Sequence, residues 1–196
     1  GSDPRSTSAY VRARAHGEKA VREAFPDAVV LQPSVMFGRN DSFLSAIEMA
    51  TRFPVVPLFG RGDTRLQSVY VADVASAAAT VIADPQTPPR ELELGGGETL
   101  TYREIVAAVA AHLGRRRWLV PLPFAAWKAL AAGASLLPSP PLTRNQVILM
   151  ESDNVVTGRT PTFADLGLRP ASLRQKLPDC LPRLRLPTHD AGREQR

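Results

Sequence analysis

The stretch that most restricts the fold runs from residue 8 to residue 38, where an apparent helix leads directly into an unbroken apolar run. From Ser8 to Phe25 the spacing of Tyr10, Arg14, Glu18, Val21, Ala24 and Phe25 fits a helix, stopped by Pro26 and Asp27. The next run, AVVLQPSVMFG over 28–38, is β-branched and apolar and closes on Pro33 and Gly38, so it predicts a fully buried strand. A strand with no polar face needs cover on both sides. A helix followed at once by such a strand is the pattern of a doubly wound α/β sheet.

The rest of the chain repeats that logic. Asn40 and Asp41 offer caps for a helix reaching Arg52, and FPVVPLFGRGDTRLQ is punctuated by Pro and Gly into short extended pieces. A strand is predicted at Val69 to Val71, an N-cap at Asp73 and an alanine-rich helix to Ala83. Another strand spans Glu91 to Leu94, followed by Gly95, Gly96 and Gly97 and a helix opened by a Thr101 and Glu104 capping box. The three glycines lack G-x-G-x-x-G spacing, their helix starts several residues later and no lysine follows. They read as a tight connector rather than a phosphate cradle. RRWLVPLP reads as a short strand, 123–137 and 142–151 as helices, and the Pro-rich remainder fades into a polar tail after Pro187.

With 196 residues, 44% hydrophobic and 22% charged, the chain suits one globular domain or part of a larger one. Its first residue is Gly1 and a helix begins within ten residues, which leads to the expectation of a further upstream region. The net charge of +5 is concentrated at Arg115, Arg116 and Arg117 and in the tail around Arg183, Arg185, Arg193 and Arg196. No aromatic-interleaved basic stripe or zinc-finger spacing accompanies it, so nucleic acid is not an expected partner and solvated surface is the default. One cysteine, Cys180, leaves no internal disulfide. His16, His112 and His189 lie far apart without acidic companions, which argues against a metal site. The segment 118–138 is the single membrane candidate. Pro121 and Pro123 break its start and Lys128 interrupts it, leaving roughly 15 helical residues where a span needs about 20, so a buried helix is favoured over a membrane-surface one.

Chemistry can be sought in SAYVRAR, residues 8 to 14. A tyrosine serves as a proton donor or acceptor near neutral pH when a fixed cation lowers its pKa from about 10. A residue four positions on lies one helical turn away on the same face, so Arg14 stands where it could stabilise a tyrosinate from Tyr10 and grip nucleotide hydroxyls. On these seven residues alone, an amphipathic helix whose tyrosine and arginine meet by chance outweighs that reading.

Taken in order, SAYVRARAHGEKAVREAF, AVVLQPSVMFGRNDSFLSAI, PLFGRGDTRLQSVYVADVASA, LELGGGETLTYREI and LTRNQVILMESDNVV resemble the later part of an extended or atypical short-chain dehydrogenase/reductase. More narrowly, they resemble the nucleotide-binding accessory subunit of respiratory complex I and its bacterial relatives. The resemblance runs from Gly1 to about Arg185. It implies a Rossmann fold whose active tyrosine matches Tyr10. The family's partner lysine is replaced by Arg14, which keeps the charge but, with a pKa above 12, drops out of proton relay. It further implies that QPSVMFG borders the nicotinamide, making Pro33, Ser34, Val35 and Phe37 cofactor contacts beside Tyr10 and Arg14, with Gln32 where arginine is common. The family's glycine-rich pyrophosphate turn and its NAD or NADP discriminator precede the tyrosine and find no match in these residues.

The expectation is thus α/β: the C-terminal part of a Rossmann-like doubly wound parallel sheet with a mainly helical C-terminal lobe. Residues 1–100 would form the late Rossmann portion with 39–68 as a substrate-lobe insertion, 101–187 the mainly helical substrate or partner lobe and 188–196 a polar tail. The implied function is an NAD(P)-binding protein tied to NADH:ubiquinone oxidoreductase or quinone metabolism, with a structural nucleotide and weak or no catalysis. Two alternatives stand beside it: an active sugar-nucleotide epimerase/dehydratase or carbonyl reductase using Tyr10, and a membrane-peripheral scaffold. NAD or NADP is the implied cofactor, and respiratory-complex subunits or a membrane surface are the implied partners. A cytoplasmic location, at the inner face of a bacterial membrane, completes the expectation.

Overall fold

The computed structural model describes residues 4–83, 90–136, 138 and 142–181. Its first helix, α1 (Ala9–Ala24), starts where the Ser8 hydroxyl accepts the amide of Val11 and ends before Pro26. The apolar run that follows is two strands rather than one. β1 (Val30–Pro33) and β2 (Met36–Phe37) are separated by a break at Ser34 and Val35, and each takes a different partner. β1 pairs in parallel with β6 (Glu91–Leu94), and β2 in parallel with β5 (Val69–Tyr70). The expected full burial of this run is corrected: every residue of β1 is only partly buried, because among the described strands β6 covers just one of its edges. α1 has no buried residue either.

The second pairing system lies later in the chain. β3 (Val55–Phe59) runs parallel to β8 (Trp118–Leu122), and β4 (Arg65–Leu66) antiparallel to β7 (Leu100–Thr101). Both pairings join 39–68 to the segment after residue 99. α2 (Ser42–Ala50), α4 (Tyr102–His112) and α7 (Leu173–Cys180) share one core with these strands, centred on Phe37, Leu44, Leu58, Ile105, Val106 and Leu173. A smaller cluster of Val69, Ala77, Leu92, Leu94 and Phe163 lies where α3 (Val71–Ala83) and a 3-10 turn (Phe163–Leu166) meet β6.

Local signals explain the element starts. Asp41 caps α2 by accepting the amide of Leu44, and Thr101 with Glu104 forms the expected capping box of α4. Asp73 is a correction: it lies in the first turn of α3, not before it, and its carboxylate accepts the amide of Ala171 at 2.8 Å. Gly96 donates its amide to Gln67 and Gly97 to Ala171, so these two amides are spent on backbone carbonyls. That is a connector's geometry. The favoured buried helix of 118–138 is also corrected. The segment divides into β8 and α5 (Phe124–Ala134), and α5 buries only Ala131, because few elements pack over it. Among the described residues no helix is long and apolar enough to cross a membrane. The tail arginines and His189 lie outside the described residues.

Candidate functional site

α1, the carboxyl end of β1 and the segment 154–157 enclose an open cleft of about 670 Å3. Tyr10 and Arg14 stand on one wall, Pro33, Ser34 and Val35 at its floor, and Asn154 to Thr157 on the opposite wall. Ser8 sets the start of α1, and its hydroxyl also lies 3.4 Å from Asn145 Oδ1 at the head of α6 (Arg144–Leu149). One turn in, Arg14 Nη1 donates to the Tyr10 phenol oxygen at 3.4 Å, and its guanidinium carbon sits 5.8 Å from the ring centroid. The phenol is 49% exposed, so it borders the cleft without being enclosed by it. Most guanidinium donors of Arg14 thus stay available to an incoming group.

Further polar contacts hold the walls in place. Arg22 reaches both Glu18 on its own helix and Glu91 on β6 at 3.1 Å, while Gln32 donates to Glu91 at 2.8 Å. These bonds tether α1 to the sheet despite its lack of buried side chains. Opposite, Gln67 donates its amide to the Asn154 carbonyl, and its side-chain oxygen accepts the amide of Val156. The Glu93 carboxylate accepts from the amide and hydroxyl of Thr157. The Ser34 hydroxyl lies 3.1 Å from both the carbonyl and the side-chain oxygen of Asn154, bridging floor and wall. Next to this wall, the amide and guanidinium of Arg65 hold the Asp153 carboxyl below the usual carboxylate range.

Of the six residues predicted for the site, Tyr10, Arg14, Pro33, Ser34 and Val35 line this cleft. Phe37 does not. It is 1% exposed, packed 5.7 Å from the Tyr70 ring in the core, because the break at Ser34 turns β2 onto a separate strand pair. Glu93, Asn154 and Thr157 line the cleft without having been singled out. Their signal was thin: one acidic position alternating with leucines in ELEL, and a polar ESDN run before two valines. Glu91 likewise accepts from Gln32. Among the described residues no group of His, Cys, Asp and Glu is placed to hold a metal, and His112 Nε2 lies 2.8 Å from the Leu181 carbonyl. The cleft thus brings a phenol, a guanidinium, the Ser34 hydroxyl and the carboxylates of Glu18 and Glu93 to the end of a parallel strand.

No family model matches the chain. It is 33% identical over 187 residues to the mitochondrial NADH dehydrogenase (ubiquinone) 1 alpha subcomplex subunit 9 of Arabidopsis thaliana, covering 89% of this chain and 46% of that one. The same subunit of Rattus norvegicus is 32% identical over 183 residues, covering 92% and 48%. A further relative, the mitochondrial NADH-ubiquinone oxidoreductase 40 kDa subunit of Neurospora crassa, is 29% identical over 173 residues, covering 88% of this chain and 45% of that one. The present chain spans about half the length of the curated relatives it matches. Among solved structures, MoeE5 in complex with UDP-glucose and NAD superposes with a TM-score of 0.57 at 18% identity, over 87% of this chain and 53% of that one. At that identity the likeness concerns the fold, which is Rossmann-like.

Proposed function

We propose that this protein is an NAD(P)-binding subunit or satellite of NADH:ubiquinone oxidoreductase or of quinone metabolism, in which the nucleotide is structural and hydride transfer is weak or absent. The observation that carries the reading is Arg14, one turn below Tyr10 on the cleft wall and bonded to the phenol at 3.4 Å. An arginine keeps the charge and the ribose-binding donors of the family's lysine but does not pass protons. The fit to a dinucleotide is supported by the cleft itself. Tyr10 and Arg14 would hold the ribose next to the nicotinamide, and Pro33 and Val35 would bound the ring. The group would supply hydride chemistry when bound, and this chain's residues would position it and limit water around it. Relatives named as NADH dehydrogenase subunits support the respiratory partner, and we propose the division into a late Rossmann portion and a mainly helical substrate or partner lobe.

The test uses the full-length protein. Reduced and oxidised dinucleotides should raise its thermal midpoint, Tyr10→Phe should leave that rise nearly intact, and turnover with quinone or carbonyl acceptors should stay at background. Sustained turnover that disappears in Tyr10→Phe would overturn the structural role in favour of an active epimerase or reductase.

A further inference from the structure

The wall of the cleft opposite α1 is fixed by its main chain. Asn154 donates its amide to the Arg65 carbonyl at 2.8 Å and accepts the Gln67 amide at 2.9 Å, bridged in parallel to Leu66 of β4. Asp153 accepts from the amide and the guanidinium of Arg65, both at 2.8 Å. Further along, the Gln67 side chain accepts the Val156 amide at 3.1 Å and donates to the Gly96 carbonyl at 3.0 Å. These bonds leave the backbone at Asn154 little room to shift relative to the floor.

The Asn154 side chain has one end engaged and one end open. The Ser34 hydroxyl donates to its Oδ1 and to the Asn154 carbonyl, each at 3.1 Å. With its single proton spent there, Ser34 has no donor left for a ligand, and Oδ1 is held toward the floor. Among the described residues Nδ2 has no protein acceptor, and Asn154 is exposed where it lines the cleft. The side chains beside it offer no substitute. Val35, Val155 and Val156 are aliphatic, Glu93 only accepts, and the Thr157 hydroxyl is already on Glu93.

We infer that Asn154 is the specificity-determining donor of this cleft, holding through Nδ2 the carboxamide oxygen of a bound nicotinamide, with Ser34 as the positioning residue that sets the amide's orientation. The inference rests on the dinucleotide reading above and adds the group that recognises the ring. With the ribose on the Tyr10 and Arg14 wall and the ring over Pro33 and Val35, the ring substituent is directed to the opposite wall, where its carbonyl oxygen needs a donor. A few fixed polar groups in an otherwise aliphatic surface are what orient a planar ligand. Ser34, expected from the sequence to touch the cofactor, acts here through Asn154.

Equilibrium binding of NADH and of ADP-ribose, which lacks only the nicotinamide, to the full-length protein tests it. Asn154→Ala should weaken NADH about tenfold, the size of one lost hydrogen bond to a ligand carbonyl, and leave ADP-ribose unchanged. Asn154→Asp keeps the shape but has no N–H donors, and should weaken NADH at least as much. Ser34→Ala should give a smaller loss confined to NADH, recovered in Ser34→Thr, which retains the hydroxyl. NADH affinity unchanged in Asn154→Ala, or retained in Asn154→Asp, would overturn the inference and leave the dinucleotide reading standing. Equal losses for NADH and ADP-ribose would also overturn it, since Asn154 would then only shape the cleft. Failure of the wild type to bind NADH would overturn both.

Discussion

At the scale of single residues, contacts were legible where spacing alone fixes proximity. Four residues along a helix make one turn, so Tyr10 and Arg14 were bound to meet, and they do, at 3.4 Å. That Phe37 would lie in the core was not legible, because an apolar run does not show where a strand changes partner. A different residue offers a pH test. Burial pushes the Tyr102 hydroxyl from its ordinary value of 10.0 up to about 12. Its contribution is complete below pH 10. Between there and pH 12 the unfolded chain has lost a proton that the folded one keeps, so stability falls as pH rises, by about 3 kcal/mol across the interval. Denaturant titrations at pH 9 and pH 11 should show about half of that loss, about 1.4 kcal/mol, in the wild type and a much smaller one in Tyr102→Phe. An equal loss in both would remove Tyr102 as its source.

At the scale of elements, caps and turns were the readable part. Asp41, Thr101 and Glu104 act as the sequence predicts, since a side-chain oxygen beside unpaired amides has only local partners to choose from. Thr101→Ala should therefore cost about 1 kcal/mol in equilibrium unfolding. Glu104 is held below the usual carboxylate range chiefly by the Thr101 amide, so this capping bond is lost as the pH falls through that lowered value. The glycine turn makes a harsher demand. A Cβ on Gly96 would fall 1.8 Å from the Ser68 carbonyl oxygen, which is backbone and has no rotamer to escape into. Gly96→Ala is expected to destabilise the fold by about 3 kcal/mol or more, seen as a lower urea midpoint. Gly133→Ala, with open space around its Cβ, is the control that should unfold no more easily than wild type. Asp73 and the exposure of α5 were not legible, because each depends on which distant segment arrives to pack.

At the scale of the whole molecule, the sequence identified an α/β arrangement and assigned 39–68 to the substrate lobe, but not the strand pairings through which it shares a core with the segment after residue 99. That sharing comes from the β3–β8 and β4–β7 pairings, which no local pattern announces. It divides the molecule unevenly. α4 contributes Ile105, Val106 and Val109 at 0% exposure, whereas α1 buries nothing and is tethered by polar contacts. Hydrogen exchange of this chain should follow that division, with α4 amides protected to near the global limit and α1 amides exchanging orders of magnitude faster. Uniform protection across both helices would mean that α1 has cover beyond the contacts described.

The central claim is that the α1 wall, through Arg14, receives a dinucleotide. Equilibrium binding of NADH to the full-length protein, followed by nicotinamide fluorescence, tests it most directly in wild type and Arg14→Glu. Loss and reversal of a charge-assisted donor should weaken Kd at least about tenfold. An unchanged Kd, or no binding by either protein, would contradict the account.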